Sequence, residues 1–225
     1  MNERILEATS ALWFLGVLQG YHTLMEAQLQ DAHVLERALY LLGKDDTKDL
    51  ESPELELKLS SIDFQYQHRF VYILRYSVIT SAYSIFEQAL HDLCEFTRKK
   101  LDKPRSLSDI DRKRGEIKRF KTYMRRSGVD VTAIGNWQFF AHVTKVRNAI
   151  VHATGWLYER QPEDARHINN LRSVIGKLKG ISLKEDGLDI ELCVEKSFCD
   201  QLIANIETAI DDIYEAICCQ IRPKE

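Results

Sequence analysis

The sequence lacks the features that mark a secreted or membrane-bound chain. Acidic residues stand at Glu3 and Glu7, where a secretory signal carries only basic residues ahead of its apolar segment. The most apolar early run, residues 11–18, is far too short to span a bilayer. These absences predict a cytoplasmic protein with no membrane partner.

Cysteines are present, but their pattern argues against disulfides and zinc binding. Their number is odd and no C-x-x-C pair occurs, while two adjacent cysteines are poorly placed to bond each other. A zinc site would need Cys and His ligands at short fixed spacings, and none is visible. We therefore expect reduced, largely buried thiols, no metal site and no cofactor. The cysteines are Cys94, Cys193, Cys199, Cys218 and Cys219.

Several common catalytic signatures are also missing. The chain has no G-x-x-x-x-G-K, G-x-G-x-x-G, G-x-S-x-G or H-E-x-x-H pattern. Phosphate-loop, dinucleotide-binding, serine-hydrolase and zinc-protease interpretations therefore lack the residues that carry them. Internal repeats and low-complexity tracts are absent as well.

The patterns that are present predict a helical protein. Apolar residues recur at helical spacing, and alternating apolar residues on both sides of Asp186-Gly187 predict a β-hairpin. We expect an all-α antiparallel bundle with a long N-terminal helix and one small β-hairpin. Residues 1–225 would form a single domain, with a core at 64–221 and an N-terminal helical extension at 1–52. The predicted helices span residues 2–42, 64–101, 137–153, 163–179 and 196–221.

Residue types at the helix ends support these boundaries. Gly43 is a plausible C-terminal cap, and Ser52-Pro53 is a start signal after a polar loop at 44–52. Asn136 is placed to cap the helix that begins at Trp137. Within the first helix, Gly16 and Gly20 are the residues that would permit a kink.

Charge is segregated along the chain, although the formal net charge is only -3. Residues 98–126 contain 13 basic and 4 acidic residues, a net of +9, which leaves -12 for the remainder. This segment is either a solvated helix or a surface that follows an RNA backbone. Aromatic residues at Phe120, Tyr123 and Trp137 would let bases stack, whereas residues 139–140 are expected in the core. The candidate RNA-binding residues are Arg112, Lys113, Arg114, Lys118 and Arg119.

The candidate catalytic residues lie near the end of a predicted helix, at Arg147, Asn148 and His152. Asn148 and His152 are four residues apart and share one helix face. Arg147 lies about 140° around a regular helix from His152. The alternative is a helix-terminal His, which the helix dipole favours, beside a surface Arg.

The pattern Arg147-Asn148-x-x-x-His152 resembles the signature of the HEPN superfamily, whose helical members include RNA-cleaving toxins and antiviral effectors. The resemblance spans residues 64–221. It implies metal-independent cleavage of RNA, in which the 2′-hydroxyl attacks the adjacent phosphate and leaves a cyclic phosphate end. The helix before the motif carries the run Ser81-x-Tyr83-Ser84-x-Phe86-Glu87.

The residue chemistry suits this reaction. His152 would move protons, because an imidazole titrates near neutral pH. Arg147 would hold the phosphate with two parallel hydrogen bonds. Asn148 would orient the imidazole or touch the phosphate. Glu87 either faces the same cleft, as an acidic residue does in some HEPN nucleases, or is a solvated helix residue.

The angular gap between Arg147 and His152 suggests that one protomer does not bring both groups to one phosphate. A homodimer with two motifs across one cleft would do so, and the family resemblance implies the same arrangement. It also implies a neutralising antitoxin partner, in some cases nucleotidyltransferase-like. Two alternatives remain: a non-catalytic HEPN-like binding or assembly module, and a nucleic-acid-binding bundle without enzymatic activity.

Overall fold

A computed structural model describes residues 6–43, 53–103, 105–111, 115–134, 136–158, 162–187 and 189–221. Across these parts the chain is mostly helical, which confirms the predicted fold class. The helices are α1 (Leu6–Leu42), α2 (Pro53–Phe64), α3 (Val71–Lys100), α4 (Glu116–Ser127), α5 (Trp137–Ala153), α6 (Pro162–Ile175) and α7 (Lys196–Ile221). The strands are β1 (Trp156–Tyr158), β2 (Ile181–Asp186) and β3 (Asp189–Val194).

Helix α3 is the centre of the bundle, because α1, α4, α5 and α7 all pack against it. Val78, Ile79, Ala82 and Phe86 of α3 are completely buried. One apolar cluster extends from Leu15 of α1 to the last turns of α7 and includes both the helices and the sheet. Burial of this apolar surface is the main stabilising term for such a bundle.

The helix predicted at 64–101 is part of a longer one. Helix α2 continues through a π-helical turn, Gln65–Phe70, directly into α3. A π turn adds a residue per turn and so rotates the face that the following helix presents. Phe70 and Ile73, which the apolar spacing assigns to the buried stripe, are 40% and 65% exposed.

The predicted ends of α5 and α7 are those observed. Asn136 caps α5, and its side-chain oxygen accepts a hydrogen bond from the amide of Phe139 at 3.2 Å. Helix α6 begins at Pro162, one residue before the predicted start at 163, and ends at Ile175, before the predicted residue 179. Helix α1 is α-helical through Gly16 and Gly20. The predicted loop at 44–52 lies outside the described residues.

The predicted hairpin forms, and an unpredicted strand joins it. Strands β2 and β3 are antiparallel, with Ile181 opposite Val194. Strand β1 pairs with the other edge of β3, with Trp156 opposite Glu191, so the strand order is β1-β3-β2. The sheet therefore begins immediately after the end of α5.

All five cysteines are free thiols, and they differ in burial. Cys94 and Cys199 are buried, whereas Cys219 is exposed, so the expectation of buried thiols holds for only part of the set. Burial raises the pKa of Cys199 to about 12. Within the described ranges, no helix combines the length and apolarity needed to cross a bilayer. The same residues contain no group of three His, Cys, Asp or Glu side chains placed to hold a metal ion.

Candidate functional site

Helix α5 presents one face to the core and another to the surface. Val143, Val146 and Ile150 are buried on the inner face, since α5 packs against α3. Lys145, Asn148 and His152 are exposed on the outer face. Their spacing of three and four residues places them in one row along the helix.

The end of α5 is held in an unusual backbone conformation. Thr154, a β-branched residue, has φ 52°, and Gly155 has φ 78°. A Cβ atom on Gly155 would overlap the hydroxyl group of Tyr76, so only glycine fits there. Positive φ at a β-branched residue is uncommon and costs free energy. The turn directs the chain into β1 just beyond His152.

A surface cavity of about 820 Å³ lies between α5, α6 and β1. Its floor is apolar and its rim is polar. The α5 residues that line it share the outer face of the helix, and the α6 residues share the face opposite. The lining residues are Lys145, Asn148, Ala149, His152, Ala153, Thr154, Trp156, Leu157, Tyr158, Asp164, His167, Ile168, Asn170 and Leu171.

The polar rim holds two imidazoles and a cation. His152 and His167 both line the cavity and are both exposed. Lys145 reaches across from α5, where its ammonium nitrogen donates to Asn170 Oδ1 of α6 at 2.6 Å. The sequence patterns point to His152 and Asn148 but miss His167 and Lys145, because their proximity depends on how α6 packs on α5.

Arg147 is not among the residues that line this cavity. Its guanidinium lies over the Tyr83 ring at 5.8 Å and 3.8 Å from a carboxylate oxygen of Glu87. It also donates to Asn148 Oδ1 at 3.2 Å. The structure thus brings Asn148 and His152 together and places Arg147 on the neighbouring face of α5, in agreement with the angular separation expected from the sequence.

Glu87 occupies a half-buried position between α3 and α5. Burial raises its pKa, the charge of Arg147 opposes that shift, and Glu116 adds to it; the net direction is upward. The side chains of Glu87 and Arg147 are 30% and 28% exposed, so neither is fully solvated. The buried Nε of Arg147 has no hydrogen-bond partner among the described residues. A half-buried carboxylate with a raised pKa is a candidate functional group.

In the described part of the basic segment, residues 98–126, only some of the basic side chains are exposed. Arg112, Lys113 and Arg114 lie outside the described residues, and Lys118 is exposed on α4. Arg119 is buried, because its guanidinium donates to the carbonyl oxygens of residues 107 and 110 at 3.1 and 3.3 Å and pairs with the carboxylate of residue 116. This geometry gives Arg119 a structural role, and RNA contact by the five candidate residues stays a prediction.

The aromatic residues of this region are not displayed for base stacking. Phe120, Tyr123, Phe139 and Phe140 are all buried, so the expectation for Phe120 and Tyr123 is wrong and the one for Phe139 and Phe140 is confirmed. Trp137 is half-buried, and its indole donates to the carbonyl oxygen of residue 131 at 2.8 Å. The apolar face of α4 must cover the end of α3, which explains this burial.

Unpaired cations converge at the C-terminal part of α4. Besides the carboxylate-bearing Asp109, a shallow pocket of about 400 Å³ is lined by Lys103, Arg105 and Arg126. None of these three makes an ion pair within the parts of the chain that the structure describes. Tyr123 also lines the pocket, and its buried hydroxyl has no hydrogen-bond partner among those same residues. Burial raises the pKa of Tyr123, and the nearby Ser127 hydroxyl opposes the shift.

Comparison with known proteins adds no family assignment. The chain matches no protein-family model, no curated protein and no solved structure. A functional conclusion therefore depends on the site geometry and on the short motif between Arg147 and His152.

Proposed function

We propose that the protein is an endoribonuclease whose proton transfers take place in the cavity between α5, α6 and β1. The observation that carries this proposal is that His152 and His167 line the same cavity together with Lys145. Imidazoles are the side chains best suited to proton transfer near neutral pH. Two of them supply the base and the acid that RNA cleavage needs.

The reaction needs no further reagent. One neutral imidazole takes the proton of the RNA 2′-hydroxyl, and the 2′-oxygen forms a bond to the adjacent phosphorus. The bond from phosphorus to the 5′-oxygen breaks, and the second imidazole, in its protonated form, gives its proton to that oxygen. The ammonium group of Lys145 offsets the charge that builds up on the phosphate oxygens. The products are a 2′,3′-cyclic phosphate and a 5′-hydroxyl.

Asn148 and Arg147 have supporting roles in this scheme. Because Arg147 donates to Asn148 Oδ1, the amide nitrogen of Asn148 is left to donate to a phosphate or an imidazole in the cavity. Arg147 is then a positioning residue in its own protomer. The shared-cleft homodimer, in which Arg147 of a second copy holds the phosphate, is the alternative arrangement.

A mixing experiment separates these two arrangements. Arg147→Ala and His152→Ala chains are each assayed alone and then mixed under conditions that exchange subunits. A shared cleft would regain activity on mixing, since one intact site forms from the two chains. If the cavity of one protomer carries out the whole reaction, mixing restores no activity, and this is the result we expect.

The main experiment is an RNA cleavage assay in EDTA. Wild-type protein should cut single-stranded RNA, leave 2′,3′-cyclic phosphate ends and spare a substrate whose scissile nucleotide is 2′-deoxy. His152→Ala should lower the rate by roughly 10²–10⁴-fold, the usual scale for a lost acid–base group. His91→Ala is the matched control, because the His91 side chain is 62% exposed on α3 and lies outside the cavity. Equal activity of His152→Ala and wild type would refute the assignment.

The resemblance to HEPN proteins supports a biological role as a toxin or antiviral effector. Such a role requires control of the nuclease, and an antitoxin partner would supply it. Cells that express the wild-type chain should then stop growing and show RNA decay, whereas cells that express His152→Ala should grow. Growth arrest that is equally strong with His152→Ala would contradict a role through RNA cleavage.

A second candidate function is RNA binding without cleavage. The unpaired Lys103, Arg105 and Arg126 and the unsatisfied Tyr123 hydroxyl favour an anion at the pocket beside α4, and that binding needs no chemistry. RNA affinity in the absence of any cleavage, with His152→Ala equal to wild type in both assays, would favour this module over the nuclease.

A further inference from the structure

One exposed face of helix α1 carries large apolar residues toward both ends of the helix, with the polar residues Gln28 and Asp31 between them. The large apolar side chains on this face are between 49% and 80% exposed. On the opposite side of the helix, Leu15 and His22 are completely buried against the bundle. The exposed stripe consists of Trp13, Phe14, Val17, Tyr21, Leu24, Leu35, Leu39 and Leu42.

The stripe has the spacing of a helix that packs against another helix. From Phe14 to Leu42 its members follow one another at intervals of three or four residues, except for an eleven-residue step from Leu24 to Leu35, which Gln28 and Asp31 fill at the same spacing. On a regular helix these positions fall within a sector of about 100°. Heptad spacing of this kind is typical of helix pairs. Asp31 is the single charged residue in the sector among the described positions.

The stripe is also large enough for a stable interface. With roughly 200 Å² for each large apolar residue, its exposed area is on the order of 800 Å². Specific interfaces bury about 800 Å² on each partner. Monomeric proteins rarely expose contiguous apolar patches above a few hundred Å². An exposed stripe of this size therefore calls for a partner.

We propose that a second copy of the chain covers this stripe, with the two α1 helices antiparallel and crossing near Gln28. The stripe is asymmetric, because its N-terminal part holds the aromatic residues and its C-terminal part holds only leucines. Antiparallel pairing places Phe14 opposite Leu42 and brings Tyr21 opposite Leu35. Each aromatic half then packs on the leucine half of the other chain.

The position of Asp31 favours the antiparallel direction. In a parallel pair the two Asp31 carboxylates would face each other in an apolar seam, where like charges are strongly unfavourable. In the antiparallel pair they are separated by about 9 Å along the axis, from six residues of helix rise. The interface residues do not overlap the cavity that contains His152, so this dimer leaves the proposed RNA site open and does not depend on it.

Sedimentation of charge variants tests both the dimer and its direction. Wild-type protein at micromolar concentration should sediment at twice the chain mass. Tyr21→Glu and Leu35→Lys should each sediment as monomers, and because both positions are exposed in the protomer, the helical content should not change. Gln30→Lys, on an exposed α1 position outside the stripe, is the control and should remain dimeric.

The double variant with Tyr21→Glu and Leu35→Lys in the same chain gives the decisive result. In the antiparallel pair each introduced glutamate faces an introduced lysine, so dimerisation should return. In a parallel pair identical charges would face each other and the protein would stay monomeric. A monomeric wild type at every concentration, or a double variant that stays monomeric, overturns the proposal.

Discussion

Two arginine–glutamate pairs at helix α3 differ in how many of the arginine's hydrogen-bond donors have a partner. Arg75 donates from Nε and Nη2 to Glu26 at 2.7 and 3.0 Å, and from Nη1 to the carbonyl oxygen of Val194 at 2.8 Å. Arg147 approaches Glu87 only to 3.8 Å, and its Nε has no hydrogen-bond partner among the described residues. The first pair ties α1, α3 and β3 together, whereas the second leaves donors unused beside the candidate site.

The pKa shifts follow from this difference in geometry. Burial by itself would raise the pKa of both carboxyl groups. For Glu26 the hydrogen bonds and charges of Arg75 and His22 outweigh burial, and the pKa is lowered. For Glu87 burial outweighs the looser Arg147, and the pKa is raised. Whether an Arg beside a Glu stabilises the fold or remains available for function therefore depends on how many hydrogen bonds the Arg makes within the protein.

The largest effect expected from this comparison is on stability. Arg75→Ala leaves the largely buried Glu26 carboxylate with only the His22 ring beside it and takes a donor from the Val194 carbonyl oxygen, which should cost on the order of 3 kcal/mol. Arg147→Ala should cost about 1 kcal/mol or less, because its ion pair is long and partly solvated. Urea unfolding of the two variants beside wild type measures both values. Equal losses would mean that Arg147 is as structural as Arg75.

The pH dependence of stability should have opposite signs at the two carboxyl groups. Glu26, with a lowered pKa, stabilises the fold above its unfolded value of about 4.5, and that contribution is lost as the pH falls. Glu87, with a raised pKa, contributes stability below about 4.5, and that contribution is lost as the pH rises through the folded value.

The corresponding glutamine variants make this difference measurable. At pH 7, Glu26→Gln should be less stable than wild type, and the deficit should shrink below pH 4.5. Glu87→Gln should be at least as stable as wild type at pH 7, with any advantage fading in acid. Unfolding free energies between pH 4 and 8 provide the test, and a destabilised Glu87→Gln at neutral pH would contradict the account.

The same distinction between paired and unpaired cations predicts a smaller effect on RNA binding. Replacing Arg126 by Gln should flatten the salt dependence of RNA affinity by about 0.7 in the log–log slope, the value for one phosphate contact on a single strand. Arg98→Gln is the matched control, because Arg98 is already paired with Glu95 at 2.6 Å. A change of the same size in both variants would remove the pocket beside α4 from the RNA surface.

Local signals predict much of the fold. Asn136 before an apolar run predicts the start of α5, Asp186-Gly187 predicts the hairpin, and the strict apolar period after Lys196 predicts α7. These features depend on neighbouring residues alone. Strand β1 is not predicted, because three residues are too few to show a periodicity. Apolar spacing predicts that Ile73 of α3 is buried, but it is exposed, because a π-helical turn cannot be recognised from apolar spacing.

The site was only partly predictable for a related reason. Helix geometry places Asn148 with His152 and separates Arg147 from His152, and in the structure Asn148 and His152 line the cavity whereas Arg147 does not. His167 and Lys145 line one cavity only because α6 folds back on α5, which no local pattern specifies. Arg119 looks like its solvated neighbours in sequence, yet the chain folds backbone carbonyl groups over it.

The central claim is that two histidines of one protomer share the cleavage reaction, and the rate of RNA cleavage by His167→Ala tests it most directly. With saturating RNA in EDTA, this variant should lose roughly 10²–10⁴-fold, as His152→Ala does, and the double variant should lose little more, because groups that act as a unit are not additive. RNA affinity should stay at the wild-type value. A His167→Ala variant that cleaves at the wild-type rate while Arg147→Ala and His152→Ala are both inactive would contradict the account.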